Sequence, residues 1–248
     1  MDNPVRLHWL DPRDPHQLFP PARQAMRSPN GLLAIGGDLC ADRLIRAYGQ
    51  GVFPWFNPNE PILWWCPDPR AVLLPAQFHV SRSLHRRLCR GEFALSLDRA
   101  FDAVLEGCAA ARANSHGTWL GHDMKRAYRV LFERGLCHSV EVWQYGQLIG
   151  GLYGVALGRA FFGESMFSRK TDASKIALCL LARQLQVWDY GLIDCQIASA
   201  HLQGLGAIEL PRARFLLQLR DALQVPPRSG HWQFDIPLPG ARAHLPTP

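Results

Sequence analysis

From Ala71 onward the apolar positions recur at spacings that separate helices from strands. Ala71 to Leu74 is a short apolar run that predicts a strand, and Ser81 opens a helix reaching about Arg90. Phe101, Val104, Leu105 and Cys108 share one face of a second helix. Met124, Ala127, Tyr128, Leu131 and Phe132 do the same for a third, which Gly135 closes as the residue beyond the C-cap. The period then shortens. Ser139 to Trp143, Leu148 to Leu157 and Ala160 to Met166, separated by turns at Tyr145-Gly146 and Gly158-Arg159, predict an antiparallel meander. Ala173, Ile176, Ala177, Leu180, Leu181 and Leu185 form the stripe of a long helix. Leu192 to Ile197 reads as a buried strand and Arg212 to Leu223 as a final helix.

Residues 1 to 70 carry a different pattern. Pro20-Pro21, Asn30-Gly31, Gly36-Gly37, the run Phe53-Pro54-Trp55-Phe56-Asn57-Pro58 and Pro67-Asp68-Pro69 interrupt long elements. They predict a small irregular unit packed by aromatics, with one short helix from Ala41 to Tyr48 behind Asp38 as N-cap. The expected organisation is therefore a small Pro/Gly/Trp-rich domain at 1–70, a main domain at 71–225, and a loose Pro-rich tail at 226–248. Meander, helix, strand and helix in that order indicate the α+β class. No internal repeat is present.

Composition narrows the choice of function. A chain of 248 residues, 48% hydrophobic and 19% charged, can bury a sizeable core and is neither disordered nor fibrous. The first ten residues lack an apolar signal core, and no apolar run approaches the ~18 residues of a membrane span. A cytoplasmic location is expected. The seven Cys include no C-x-x-C pair and the ten His no H-E-x-x-H, which argues against a disulfide framework and against a metal site. A net charge of +6 makes polyanions candidate partners. The strong preference for Arg over Lys is equally compatible with genome composition, so charge alone does not decide.

Three clusters could carry chemistry. Arg82, Arg86 and Arg90 repeat at helical spacing with Arg87 beside them, either a solvated face or a row able to follow phosphates. Glu164 and Ser165 stand among Phe162, Met166 and Phe167 near a strand end, where the carboxylate either lines a site or points outward. Asp194 and Gln196 alternate on an otherwise apolar strand, so they are expected to share a face, with Cys195 on the other. Buried polar groups of that kind need partners, from a structural network or from a ligand. Trp55, between prolines, and Trp119, after Gly117-Thr118, are candidates to stack on a base or on an aromatic side chain. No G-x-S-x-G elbow, phosphate-binding G-x-x-x-x-G-K-[ST] loop or G-x-G-x-x-G run is found.

Taken in order, Asn30-Gly31-Leu32-Leu33-Ala34-Ile35-Gly36-Gly37-Asp38-Leu39, Gly51-Val52-Phe53-Pro54-Trp55-Phe56, Trp64-Trp65 with Pro67-Asp68-Pro69-Arg70, Gly117-Thr118-Trp119, Gly163-Glu164-Ser165-Met166-Phe167-Ser168 and Ile193-Asp194-Cys195-Gln196 form a specific set. The chain resembles the bacterial leucyl/phenylalanyl-tRNA–protein transferases from about Leu18 to Leu223. The resemblance implies a small N-terminal domain and a catalytic domain similar to the GNAT acyltransferases, using aminoacyl-tRNA in place of acyl-CoA and no cofactor. It implies transfer of Leu or Phe, and Met less well, to proteins that begin with Arg or Lys, marking them for N-end rule degradation. It assigns Asp194 and Gln196 to catalysis, and Leu152, Phe161, Glu164, Ser165 and Ile193 to the amino-acid pocket. Trp55 and Trp119 fall to the 3′-adenosine, and Arg82, Arg86, Arg87 and Arg90 to the tRNA backbone. Gly204 stands where the family pattern has Ser.

The sequence leaves two rival readings open. An acyl-CoA-dependent N-acetyltransferase needs a glycine-rich pyrophosphate loop, whereas the junction here reads Arg169-Lys170-Thr171-Asp172-Ala173-Ser174. A non-catalytic RNA-binding module would leave Asp194, Gln196 and Glu164 unexplained.

Overall fold

The computed structural model describes residues 7–113, 120–228 and 230–239. The N-terminal unit holds β1 (His8–Leu10), β2 (Leu32–Gly36), α1 (Ala41–Gly49), β3 (Phe53–Pro54) and β4 (Leu63–Trp65). Its strands form a four-stranded sheet in the order β1-β2-β4-β3, which corrects the expectation of an irregular segment. The turns are where the Pro and Gly residues put them, but the strands between are too short for alternation to register. Helix α1 is capped from Cys40 instead of Asp38. Asp38 accepts the Cys40 N–H at 2.7 Å and holds the buried Arg43 at 2.9 Å.

The rest of the chain supplies β5 (Arg70–Leu73), α2 (Arg82–Arg90), β6 (Ala94–Leu97), α3 (Phe101–Ala113), α4 (His122–Glu133), β7 (Cys137–Gln144), β8 (Gln147–Leu157) and β9 (Ala160–Ser168). There follow α5 (Ala173–Val187), β10 (Leu192–Gln196), α6 (Ala200–Gln203), β11 (Ile208–Leu210) and α7 (Arg212–Ala222). These strands form a seven-stranded mixed sheet, β11-β5-β10-β9-β8-β7-β6, and the molecule is of the α+β class. The predicted meander is β7, β8 and β9, all antiparallel, and β10 returns through α5 to lie parallel to β9. Local chemistry agrees with the boundaries. Ser81 caps α2 by accepting the Leu84 N–H at 3.2 Å, and Gly135, beyond α4, adopts a φ of +68° that suits glycine.

Both faces of the large sheet are covered. On one, Leu105, Tyr128, Leu131, Tyr153 and Phe162 pack with Leu44, Tyr48, Phe53 and Trp64, so the N-terminal unit shares its core with the main sheet. On the other, Leu152, Phe161 and Ile193 pack beneath Leu178 and Leu181 of α5 and Leu84 and Leu88 of α2. The tail is not loose throughout its described part. Trp232 is buried against the sheet, and Asp235 accepts the Trp188 indole N–H at 2.8 Å. A single apolar anchor in a Pro-rich stretch carries no periodicity to announce it. Among the described residues, no helix is long and apolar enough to cross a membrane.

Candidate active site

Two bulges on neighbouring strands build the site. Strand β9 pairs with β8 through Tyr153↔Ser165 and then Gly154↔Gly163, leaving Glu164 as the extra residue. Strand β10 pairs with β5 through Asp194↔Val72 and then Gln196↔Ala71, leaving Cys195 as the extra residue. A bulge bends its strand and re-aims a side chain. The parallel pairing of β9 and β10 ends at Phe162↔Asp194, immediately before both bulges, and the strands part there.

A cavity of about 290 Å³ occupies the gap, near the lower end of the ~300–1,000 Å³ usual for small-ligand sites. Leu152, Phe161, Leu178, Ile193 and Met166 give it an apolar wall, and Phe53, Pro54 and Trp55 bring the N-terminal unit to its rim. Glu164, Ser165, Cys195 and Gln196 also line it. The structure thus brings Trp55, Leu152, Phe161, Glu164, Ser165, Ile193 and Gln196 around one space. Trp55 is exposed, its ring 5.9 Å from that of Trp65, whose indole N–H donates to the Trp55 carbonyl at 2.7 Å. Trp119 lies outside the described residues.

Asp194 departs from the sequence expectation. The bulge at Cys195 breaks the alternation, so Asp194 and Gln196 do not share a face, and Cys195 joins Gln196 at the cavity. The Asp194 carboxylate is fully buried behind the wall, held by Arg70 through Nε at 2.7 Å and Nη2 at 2.6 Å. Arg70 is fully buried too, its guanidinium between the rings of Phe53 and Phe215 at 4.8 and 4.6 Å. Asp194 Oδ1 also accepts the Gln196 backbone N–H at 3.0 Å. Gln196 is left with a φ of +56°, a conformation that costs a non-glycine residue about 1 kcal/mol or more unless its surroundings fix it. Arg70 and Asp194 therefore hold Gln196 in place. Arg70 was visible in the sequence only as part of a motif, because a charged residue starting an apolar strand has no period to signal a buried partner.

Glu164 has the opposite environment. Its Oε2 accepts the Tyr128 hydroxyl at 2.5 Å, and that hydroxyl lies 3.0 Å from the Tyr48 hydroxyl. Its Oε1 has no hydrogen-bond partner among the described residues. Burial raises the carboxyl pKa to about 7, against the pull of the two tyrosine hydroxyls. Both tyrosines are in turn driven well above the usual phenol range, by burial first and then by Glu164. Neither Tyr48 nor Tyr128 stood out in the sequence except as helix core. Burial also lifts the Cys195 thiol to about 12, which keeps it protonated at neutral pH and unfit as a nucleophile.

The basic row is set on α2. Arg82, Arg86 and Arg90 are exposed and form no ion pair among the described residues. Arg87 is less free: it donates to the Thr171 carbonyl at 3.0 Å and faces Asp172 at 3.9 Å. Residues Ser199 and Gly204 frame the short α6 beside the cavity, Ser199 accepting the Leu202 N–H at 3.3 Å. The absence of a side chain at 204 leaves that cap intact.

Comparison with known proteins gives one answer. A family model for leucyl/phenylalanyl-tRNA protein transferase matches residues 72–220, and one for the N-terminal domain of that family matches residues 37–68. The leucyl/phenylalanyl-tRNA–protein transferase of Alkalilimnicola ehrlichii is 54% identical over 240 residues, 96% of this chain and 93% of the relative. That of Nitrosomonas europaea is 56% identical and covers 90% of this chain and 94% of its own length. Among solved structures, the L-PGS of Bacillus licheniformis superposes with a TM-score of 0.38 at 12% identity, covering 63% of this chain and 50% of that one, too distant to bear on the chemistry.

Proposed function

The chain belongs to the leucyl/phenylalanyl-tRNA protein transferase family, and from that premise we propose that it moves leucine or phenylalanine, and methionine less well, from aminoacyl-tRNA to the N-terminal amine of proteins beginning with Arg or Lys. The observation that carries this reading is the apolar cavity opening between Gln196 and Glu164 at the parting of β9 and β10. Its apolar wall suits an aliphatic or aromatic side chain. Such a wall separates side chains differing by one methylene by only ~1–3 kcal/mol, hence the leakage to methionine.

The donor ester is already activated, so the reaction needs no cofactor and no covalent enzyme intermediate. The acceptor nitrogen forms a bond to the ester carbonyl carbon, the carbon–oxygen bond to the ribose breaks, and the departing 3′-oxygen takes up a proton. An α-amine with a pKa near ~8 is partly neutral at physiological pH and mainly needs orientation. Gln196 supplies it through its side-chain carbonyl, which can accept a hydrogen bond but not a full proton. Asp194 acts one step back, as a positioning residue that fixes the Gln196 backbone and is fixed by Arg70. With Asp194 engaged, Glu164 is the carboxylate left to meet the positive charge of the acceptor.

Trp55 at the rim stacks on the terminal adenosine, a role that its motif assigns to Trp119 as well, and Arg82, Arg86, Arg87 and Arg90 follow the tRNA backbone. Residues 1–70 serve as the N-terminal domain, 71–225 as a GNAT-like acyltransferase domain and 226–248 as its tail; the parting of two parallel strands beside the reacting groups supports that reading. The product carries a new N-terminal Leu or Phe, the signal for N-end rule degradation, and charged tRNA as donor places the reaction in the cytoplasm. Incubation with labelled Phe-tRNA and a peptide beginning with Arg tests the proposal. Label should appear in the peptide at its N-terminus; label that stays on the tRNA, or is released only as free phenylalanine, would overturn it.

A further inference from the structure

The described tail, residues 230–239, lies beyond the stretch matched by the catalytic family model and packs behind the cavity wall. Trp232 is 1% exposed. Its ring stacks on His138 at 3.7 Å and 7°, and meets Trp188 and Tyr190 edge-on at 4.9 and 5.9 Å. Phe161 closes this cage at 6.0 Å. The same Phe161 lines the cavity, so one ring separates the ligand space from the tail.

On its own face of the sheet that ring sits between Ala156 and Ile193, its partners on the neighbouring strands, within the cluster that includes Leu178 of α5. It crosses the β8 backbone at Gly154, where an added Cβ would come within 2.6 Å of its edge, so the strand beneath it offers a flat floor. Toward the tail its aromatic neighbour is Trp232, and the tail is anchored twice. Asp98 accepts the Trp232 backbone N–H at 2.6 Å while gripping His138 Nδ1 at 2.7 Å. Asp235 accepts the Trp188 indole N–H at 2.8 Å and a hydrogen bond from the Gln184 amide. Close-packed interiors transmit such displacements rather than absorb them.

We infer that Trp232 is a specificity-determining positioning residue, which fixes the depth of the amino-acid cavity by backing Phe161 and so sets how large a transferred side chain it accepts. The inference rests on the transferase reading above. Shortening Trp232 gives Phe161 room to retreat, deepens the cavity and favours phenylalanine over leucine. A purely structural role would lower both rates together.

The test compares kcat/KM for Phe-tRNA and Leu-tRNA in the wild type, Trp232→Leu and Trp232→Phe, with near-ultraviolet circular dichroism as the check on folding. The Phe/Leu ratio should rise by about tenfold in Trp232→Leu and by less in Trp232→Phe, in line with what a methylene or two is worth in such a pocket. Should the larger truncation fail to fold, Trp232→Phe, which keeps a ring on His138, decides the matter. Folded variants whose ratio stays within about twofold of the wild type overturn the inference. So does failure of both to fold, since the segment then serves stability first. A wild type that transfers neither amino acid is a different result: it removes the transferase reading itself.

Discussion

Glu164→Gln keeps the shape of the side chain and removes its ionisation, which makes it the sharpest probe of the cavity's electrostatics. The folded carboxyl titrates near 7 instead of 4.5 because burial penalises the anion. At about 1.36 kcal/mol per unit, this is worth about 3 kcal/mol. The sign follows from which state releases the proton first. Below pH ~4.5 the group is protonated in both states and native stability is intact. As pH rises, the unfolded chain ionises while the folded one cannot, so stability is lost until the folded carboxyl ionises as well, near 7. The Gln variant carries no such liability. Urea unfolding of both proteins at pH 5 and pH 8 should therefore show the variant gaining about 2.5 kcal/mol on the wild type between the two conditions. If the ionised Glu164 meets the acceptor as proposed, peptide transfer should fall in the same variant; a site that gains stability by losing function is the expected trade. Parallel stabilities at the two pH values would refute the reasoning, since they would mean that Glu164 is hydrated enough to ionise normally.

Gln196→Ala should lower kcat by about a hundredfold with little change in tRNA affinity, measured by single-turnover transfer and filter binding, because it removes the proposed orienting group and leaves the proposed tRNA-binding surface intact. Asp194→Asn leaves Arg70 buried without its counter-charge and should cost about 3–5 kcal/mol in unfolding free energy, with turnover falling as Gln196 loses its backbone hold. A variant as stable as the wild type would show that the pair does not anchor the strand. Arg82→Ala combined with Arg86→Ala should reduce the slope of log affinity against log salt by up to about 2, roughly one for each phosphate that is no longer neutralised. An unchanged slope would remove α2 from the tRNA path.

The parts of the fold that follow a period were open to reading in the sequence. The meander, α5 and the amphipathic faces of α2 and α4 all announce themselves through spacing, and their boundaries fell within a residue or two of the structure. What spacing cannot convey is a break in itself. One extra residue at Cys195 turns Asp194 away from Gln196, against the alternation of that strand, and one at Glu164 places on the cavity a carboxylate whose side the alternation of β9 left open. Both bulges lie where β9 and β10 part, so the departure from regularity that defeats pattern reading is also what opens the site. The partners of the displaced groups come from far along the chain: Arg70 for Asp194, Tyr48 and Tyr128 for Glu164, each sitting in its own element as an unremarkable strand or helix residue. Trp232 makes the same point from the tail, since its cage of His138, Trp188 and Tyr190 exists only once three separate elements are folded together. Two carboxylates in one small region can then do different work because their surroundings differ: the one matched by a guanidinium fixes the backbone, and the one left among hydroxyls keeps a proton to exchange near neutral pH.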